Sequence, residues 1–229
     1  MNPLLNPIMD QFDAQPERGP LHVLIADDHA IVRIALRIII KQRYPAVTFE
    51  EAVDGETLIR KLKSASFDLL ILDINMPMTE SFSLTRYVLK EFPGVKVLIF
   101  TVNKEFIFAK RFLKLGAHGY LIKESKEPEI SDALQKILSG QVYVSDWLAE
   151  VIWGGAEHPR PENPFEALSD REFEVVLQIL RGYSVNEIAG TLHLNTSTVG
   201  THKSRVLNKL KLANTLDLLS LARQHHIIP

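Results

Sequence analysis

Asp73 follows four consecutive apolar residues, Leu69 to Leu72, and Pro77 stands four positions beyond it. A short apolar run bounded by turn residues reads as a strand covered on both faces, as in a parallel sheet. Two further acids, Asp27 and Asp28, close the run Leu21–Ala26; Thr101 closes Lys96–Phe100, and Lys123 follows Gly119–Ile122. In an open parallel sheet the carboxyl ends of the strands share one edge, where such folds place their ligands. Three carboxylates, a hydroxyl and an ammonium therefore converge. Crowded carboxylates repel one another and favour a hard divalent cation held through oxygen, Mg²⁺ above all. A carboxylate beside Mg²⁺, with a hydroxyl and a lysine nearby, is equipped to attack a phosphoryl group. Each residue also has a plain reading: an Asp after a strand commonly caps a turn, Thr is a common strand end, and Lys a common surface residue. Their joint placement on the strand ends favours the chemistry.

The elements that must position these groups alternate strictly. Strand patterns at Leu21–Ala26, Val47–Ala52, Leu69–Asp73, Lys96–Thr101 and Gly119–Ile122 are separated by helical patterns over Ile31–Arg43, the stretch to Lys63, Phe82–Phe92, Glu105–Leu115 and Pro128–Leu138. Tyr44-Pro45, Pro93-Gly94, Gly116 and Gly140 mark the helix ends. Five β-α units predict an α/β doubly wound five-stranded parallel sheet over residues 21–140. Residues 1–20, with Pro3, Pro7, Pro16 and Pro20, read as a tail. Residues 141–165 read as a linker, with a short helix over Asp146–Trp153 and then Gly154, Gly155, Pro159, Pro161 and Pro164.

From residue 166 to 229 the pattern is wholly helical. Ser169 with Glu172, and Ser184 with Glu187, have capping-box spacing. A third helix runs from Thr196 through Leu210 and a fourth from Thr215 to Gln224. Between Glu187 and Asp217 there is no acid, while Lys203, Arg205, Lys209 and Lys211 give a local excess of +4 in a chain of net charge −2. On the third helix Val199, Val206 and Leu210 share a face that should be buried. Thr201, Ser204, Arg205 and Asn208 point the other way, a polar face suited to base edges in a major groove, with Lys203 and Lys209 flanking it toward phosphates. An ordinary solvated face would be balanced by Glu, and none is present here.

Two resemblances follow from these residues. Asp27-Asp28, the turn Asp73-Ile74-Asn75-Met76-Pro77, Thr101, and Tyr120 three before Lys123 make residues 21–140 resemble the flavodoxin-like receiver domain of bacterial two-component response regulators. Leu168-Ser169-Asp170-Arg171-Glu172-Phe173-Glu174-Val175, Gly182, Glu187-Ile188-Ala189, Leu192, Leu194, Thr198-Val199, His202 and Lys209-Leu210 make residues 166–229 resemble the LuxR-type helix-turn-helix, as in the NarL/FixJ group. The resemblance implies that Asp73 accepts a phosphoryl group from a sensor histidine kinase or phosphotransfer protein. It implies Mg²⁺ held by Asp28, Asp73 and the Asn75 backbone carbonyl, with Asp27 acting through water. Lys123 would pair with phosphoryl oxygens, while Thr101 and Tyr120 reposition as the switch. Thr196, Thr198, Thr201, His202, Lys203, Ser204, Arg205 and Lys209 would contact double-stranded DNA. The last helix, with Leu216 and Leu219, would form a homodimer on activation, and RNA polymerase is a further implied partner. Ser81 stands where the receiver family usually has glycine, and Val102 where a small residue is usual. Asn186, Gly200 and Thr215 depart from the helix-turn-helix pattern. Ile31, Ile34, Leu36, Ile38, Ile39 and Ile40 cover more of the first helix than one buried stripe needs, which fits either a broadly covered helix or a receiver–receiver contact.

Composition excludes other classes. No cysteine is present, so disulfides, thiolate metal sites and Cys nucleophiles are absent. No apolar stretch is long enough for a membrane span, and no signal peptide is evident, which fits a cytoplasmic location without membrane insertion. Two rival readings use the same residues. A haloacid-dehalogenase-like phosphatase also attacks through an Asp after a strand, but needs a second acid where Asn75 stands. A receiver that no longer takes phosphate would control DNA binding through protein partners.

Overall fold

The computed structural model describes residues 20–77, 79–146, 148–149 and 163–228. Five strands, β1 (His22–Ala26), β2 (Thr48–Ala52), β3 (Leu69–Leu72), β4 (Lys96–Thr101) and β5 (Gly119–Ile122), form one parallel sheet in the order β2-β1-β3-β4-β5. Helices α1 (Ala30–Arg43), α2 (Gly55–Ser64), α3 (Ser81–Glu91), α4 (Phe106–Leu115) and α5 (Glu127–Leu138) connect and follow them. β3 is the central strand and all four of its residues are buried, which is why it carries no polar alternation.

Register does the positioning. Ala26 pairs with Leu72 and Thr101 with Ile122, so Asp27 and Asp73 leave their strands side by side. The ladder runs one step further on each side: Asp73 N–H donates to the Ala26 carbonyl at 2.8 Å and Lys123 N–H to the Thr101 carbonyl at 2.8 Å. The backbones bearing Asp73 and Lys123 are thereby tied to the sheet itself.

One face of the sheet packs Val23, Ile25 and Ile71 on Leu36 and Ile40 of α1 and Leu134 and Ile137 of α5. The other packs Leu70, Leu72, Val97 and Ile99 on Leu58, Phe82, Val88 and Phe112 from α2, α3 and α4. α4 ends at Gly116, whose φ of 108° suits a residue without Cβ.

The helical half comprises α6 (Asp170–Leu180), α7 (Val185–Leu192), α8 (Thr196–Leu210) and α9 (Thr215–Gln224). Both expected capping boxes form: Ser169 and Glu172 exchange bonds at the start of α6, and Ser184 and Glu187 at the start of α7. The second core continues without a break into Phe165, Phe173, Val176, Val206 and Leu218, so the sheet and the helical half share apolar packing. Phe173 is buried at that contact, set edge-on to Phe82 at 5.9 Å and to Phe108 at 5.4 Å.

The stretch expected to be linker is packed at both ends. Tyr143 bridges to Gly119, its N–H donating to the His118 carbonyl, and Pro164–Ala167 forms a 3-10 turn with Phe165 buried. Both anchors are apolar side chains within an otherwise proline-rich stretch. Of the short helix expected at 146–153, residues 146, 148 and 149 are helical and the rest lie outside the described residues, as do residues 1–19 of the tail.

Candidate functional site

The edge formed by the ends of β1, β3, β4 and β5 holds the acids. Asp27, Asp28, His29 and Asp73 each place a ligand-type atom within 4.8 Å of the others. Asp27 and Asp73 are buried, while Asp28 is exposed. Lys123 Nζ lies 2.7 Å from Asp73 Oδ2 and 2.7 Å from Asp27 Oδ2. The contact to Asp27 is not aligned as a hydrogen bond, so that oxygen is buried without a hydrogen-bond partner. Asp73 Oδ1 accepts the Asn75 N–H at 3.0 Å, which fixes the carboxylate plane.

Burial pushes the Asp73 carboxyl above its usual range, and neighbouring Asp27 adds to this against the opposing pull of Lys123. Burial acts to lower the Lys123 ammonium, but its ion pairs with Asp27 and Asp73 prevail and hold it above its usual value. The cluster is thus an ammonium serving two carboxylates.

A second set of bonds leads away from Asp73. The Asn75 side-chain amide donates to Thr101 Oγ1 at 2.9 Å, and Asn103 Nδ2 to Asn75 Oδ1 at 3.3 Å. Tyr120, fully buried, donates its hydroxyl to the Asn103 carbonyl at 2.8 Å. Burial, then the charge of Asp73, raises the Tyr120 phenol well above its usual value, so it stays a donor. Thr101 and Tyr120 are therefore joined to the Asp73 turn through Asn75 and Asn103.

Three features escaped the sequence. His29 Nδ1 sits 2.7 Å from Asp28 Oδ1. Asn103 completes the network just described. Asn75 contributes its side chain, where only its carbonyl was expected. The readable signal for Asn103 was its place two residues after the Thr101 strand end, matching Asn75 two after Asp73. Ser81 donates its hydroxyl to the Ile74 carbonyl, which ties the Asp73 turn to α3. Val102 is 60% exposed and borders a cavity between the two halves of the chain.

On α8, Val199, Val206 and Leu210 are buried, and Thr196, Thr201, Ser204, Arg205 and Asn208 are exposed, as the periodicity required. Thr198, His202 and Lys203 are only partly exposed, and His202 Nδ1 is enclosed without a partner. Lys209 also has a role in the fold. Its Nζ lies 2.7 Å from Glu172 Oε2 and 3.3 Å from the Ala167 carbonyl, which fastens α8 to the start of α6, while its side chain stays 42% exposed. The outward face of α8 is therefore polar and open to solvent, with Arg205 exposed on it. On α9, Leu216 is 74% exposed and Leu219 partly buried.

Comparison with known proteins accords with this arrangement. Residues 23–135 match the response regulator receiver domain, and residues 166–222 match the bacterial regulatory proteins of the luxR family. The response regulator UvrY of Escherichia coli is 31% identical over 206 residues, spanning 90% of this chain and 94% of that protein. The chain belongs to the NarL/FixJ group of response regulators. The response regulator GacA of Pseudomonas protegens is 30% identical over 208 residues, spanning 91% of this chain and 98% of its own. Among solved structures, RcsB from Salmonella enterica serovar Typhimurium, bound to promoter rprA in the presence of phosphomimetic BeF3⁻, superimposes with a TM-score of 0.71 at 27% identity, covering 88% of this chain and 98% of that one. This response regulator is accordingly a DNA-binding transcription regulator of a two-component system, not an enzyme, which sets aside the phosphatase reading. No helix among its described residues is long and apolar enough to cross a membrane.

Proposed function

We propose that Asp73 is the phosphoacceptor of this response regulator and that its phosphorylation controls a dimeric helix-turn-helix on DNA. The observation that carries the reading is the Asp73 carboxylate at the end of β3, buried, oriented by the Asn75 N–H and paired with Lys123. An Asp73 oxygen forms the new P–O bond as the P–N bond of a phosphohistidine donor breaks, and the electron pair leaves on the imidazole. Lys123, released from the carboxylate charge, is placed to hold a phosphoryl oxygen.

The buried carboxylates of Asp27 and Asp73, clustered with Asp28, and the oxygen donors of Asp28, Asp73 and the Asn75 carbonyl fit Mg²⁺, with Asp27 acting through water. Bound there, Mg²⁺ would neutralise charge on the transferring group. Thr101 would turn toward the new phosphoryl oxygens and leave the Asn75 amide. That exchange passes through Asn103 to Tyr120 and to the loop before α4.

At the other end, Thr196, Thr201, Ser204 and Arg205 would read the major groove, with Thr198, His202 and Lys203 at its margin. Leu216, exposed on α9 beside Leu219, would be the apolar contact of a homodimer on a two-half-site operator. RcsB has been captured on promoter DNA with a phosphomimetic, which supports the same coupling here. The kinase or phosphotransfer donor, RNA polymerase and a cytoplasmic setting belong to this reading, as do a receiver over residues 21–140 and a DNA-binding module over 166–229. DNA affinity of the wild type and Asp73→Ala, each with and without phosphodonor, tests it. The wild type alone should respond; an equal response in both supports a phosphorylation-independent receiver instead.

A further inference from the structure

Between the receiver and α6 lies a cavity of about 300 Å³ bordered by Asn75, Glu80, Val102, Glu174, Gln178 and Arg181. Two carboxylates face each other there, one from each half of the chain. Their surroundings differ. Glu174, 1% exposed, accepts from Arg171 at 2.6 Å and from the Ser83 hydroxyl at 2.9 Å, so its charge is matched. Glu80, the residue before α3, accepts the Gln178 side-chain amide and has no cation bonded to it among the described residues. Burying a carboxylate beside a like charge is costly unless it is neutral.

We propose that this interface is a proton-linked latch: Glu80 docks against Glu174 and Gln178 carrying its proton, and the receiver and the DNA-binding helices separate more readily once that proton is lost. Burial and then the Glu174 charge push the Glu80 carboxyl from 4.5 up to about 7, while Arg181 and Arg171 pull the other way. The charged groups facing it are Glu174, Arg171 and Arg181, all from α6 and its C-terminal cap; on its own side Thr79, Ser81 and Ser83 are uncharged. Among the described residues, the ion pairs Lys110 with Glu166 and Arg111 and Arg86 with Asp170 also cross the interface, join opposite charges and oppose separation.

The direction follows from linkage. Opened to water, Glu80 returns toward 4.5 and releases its proton, so the docked form binds more protons than the open one wherever pH lies between these values. Docking is therefore strongest in acid and weakens as pH rises toward 7, by about tenfold between pH 6 and pH 8. Above that range the penalty is constant. The device is independent of phosphorylation in origin, but it acts on α3, the helix that follows the Asp73 turn and is tied to it by the Ser81–Ile74 bond.

Hydrogen exchange of the full chain tests it, read at the amides of residues 164–180 and corrected for intrinsic exchange. The opening equilibrium of wild type should rise about tenfold from pH 6 to pH 8. Glu80→Gln, which keeps the shape of the neutral acid, should remain protected throughout. Glu174→Gln removes the facing charge and should flatten the wild-type response, moving it to lower pH. Comparison with Glu80→Gln also separates Glu80 from His225, which packs on Phe165 within the DNA-binding helices. The same pH response in wild type and Glu80→Gln, or no response in wild type, would overturn the latch.

Discussion

Lys123 Nζ stands 2.7 Å from Asp73 Oδ2, and the same ammonium reaches Asp27. A single cation thus neutralises two buried acids at the point where the proposed phosphoryl group would arrive. Replacing Lys123 with Met leaves both acids uncompensated. Stability at neutral pH in the presence of a chelator should fall by about 3 kcal/mol, the usual cost of breaking a buried pair. Mg²⁺ should restore much of it by binding the freed carboxylates. Denaturant titration with and without Mg²⁺ checks this; loss that Mg²⁺ does not reduce would argue against the oxygen site.

Arg111 of α4 holds the DNA-binding helices to the receiver. Its guanidinium lies 4.5 Å over the Phe173 ring, donates to Asp170 at 2.7 Å and to the Leu168 and Phe165 carbonyls at 2.7 and 3.0 Å. Arg111→Ala should expose residues 165–170 to faster hydrogen exchange while leaving the sheet protected. Phe173→Ala, which opens a cavity among Phe82, Phe108 and Phe165, should cost about 3–5 kcal/mol in a denaturant titration.

Lys209 separates a fold role from a DNA role. Counting all four basic residues near α8 gives a salt slope of about −3.6 per subunit. With Lys209 held by Glu172, three cations remain and the slope becomes about −2.7. Arg205→Ala should lower DNA affinity and reduce that slope by about 1. Lys209→Ala should leave the slope unchanged and lower stability instead, in binding titrations at several salt concentrations.

Acid sensitivity should follow Glu172. Burial alone would raise its carboxyl, but bonds from Lys209 and Ser169 prevail and hold it below 4.5. Its contribution to stability is complete above that value and is lost as pH falls through the lowered one. Glu172→Gln should therefore be less stable than wild type at neutral pH, with the gap closing in acid. A gap independent of pH would show that the carboxylate charge is not what matters.

The sheet and its acid edge were legible because strand order and the β-α alternation force strand ends together. β3 could carry Leu69 to Leu72 only if covered on both faces, and Asp73 then had one place to be. Capping boxes at Ser169 and Ser184 were equally local and equally readable. Side-chain partners over long separations were not. Lys209 meets Glu172 across 37 positions, and Ser83 meets Glu174 across 91, and no periodicity reports such pairs. At residues 141–165, read as a linker with a short helix, composition gave no sign that Tyr143 and Phe165 anchor its ends.

The central claim rests on one carboxylate. The full chain incubated with Mg²⁺ and either acetyl phosphate or a phosphorylated kinase should gain one phosphoryl group, and peptide mapping should place it on Asp73. Asp73→Asn should gain none. Wild type that stays unlabelled, or label that persists in Asp73→Asn, would contradict the account.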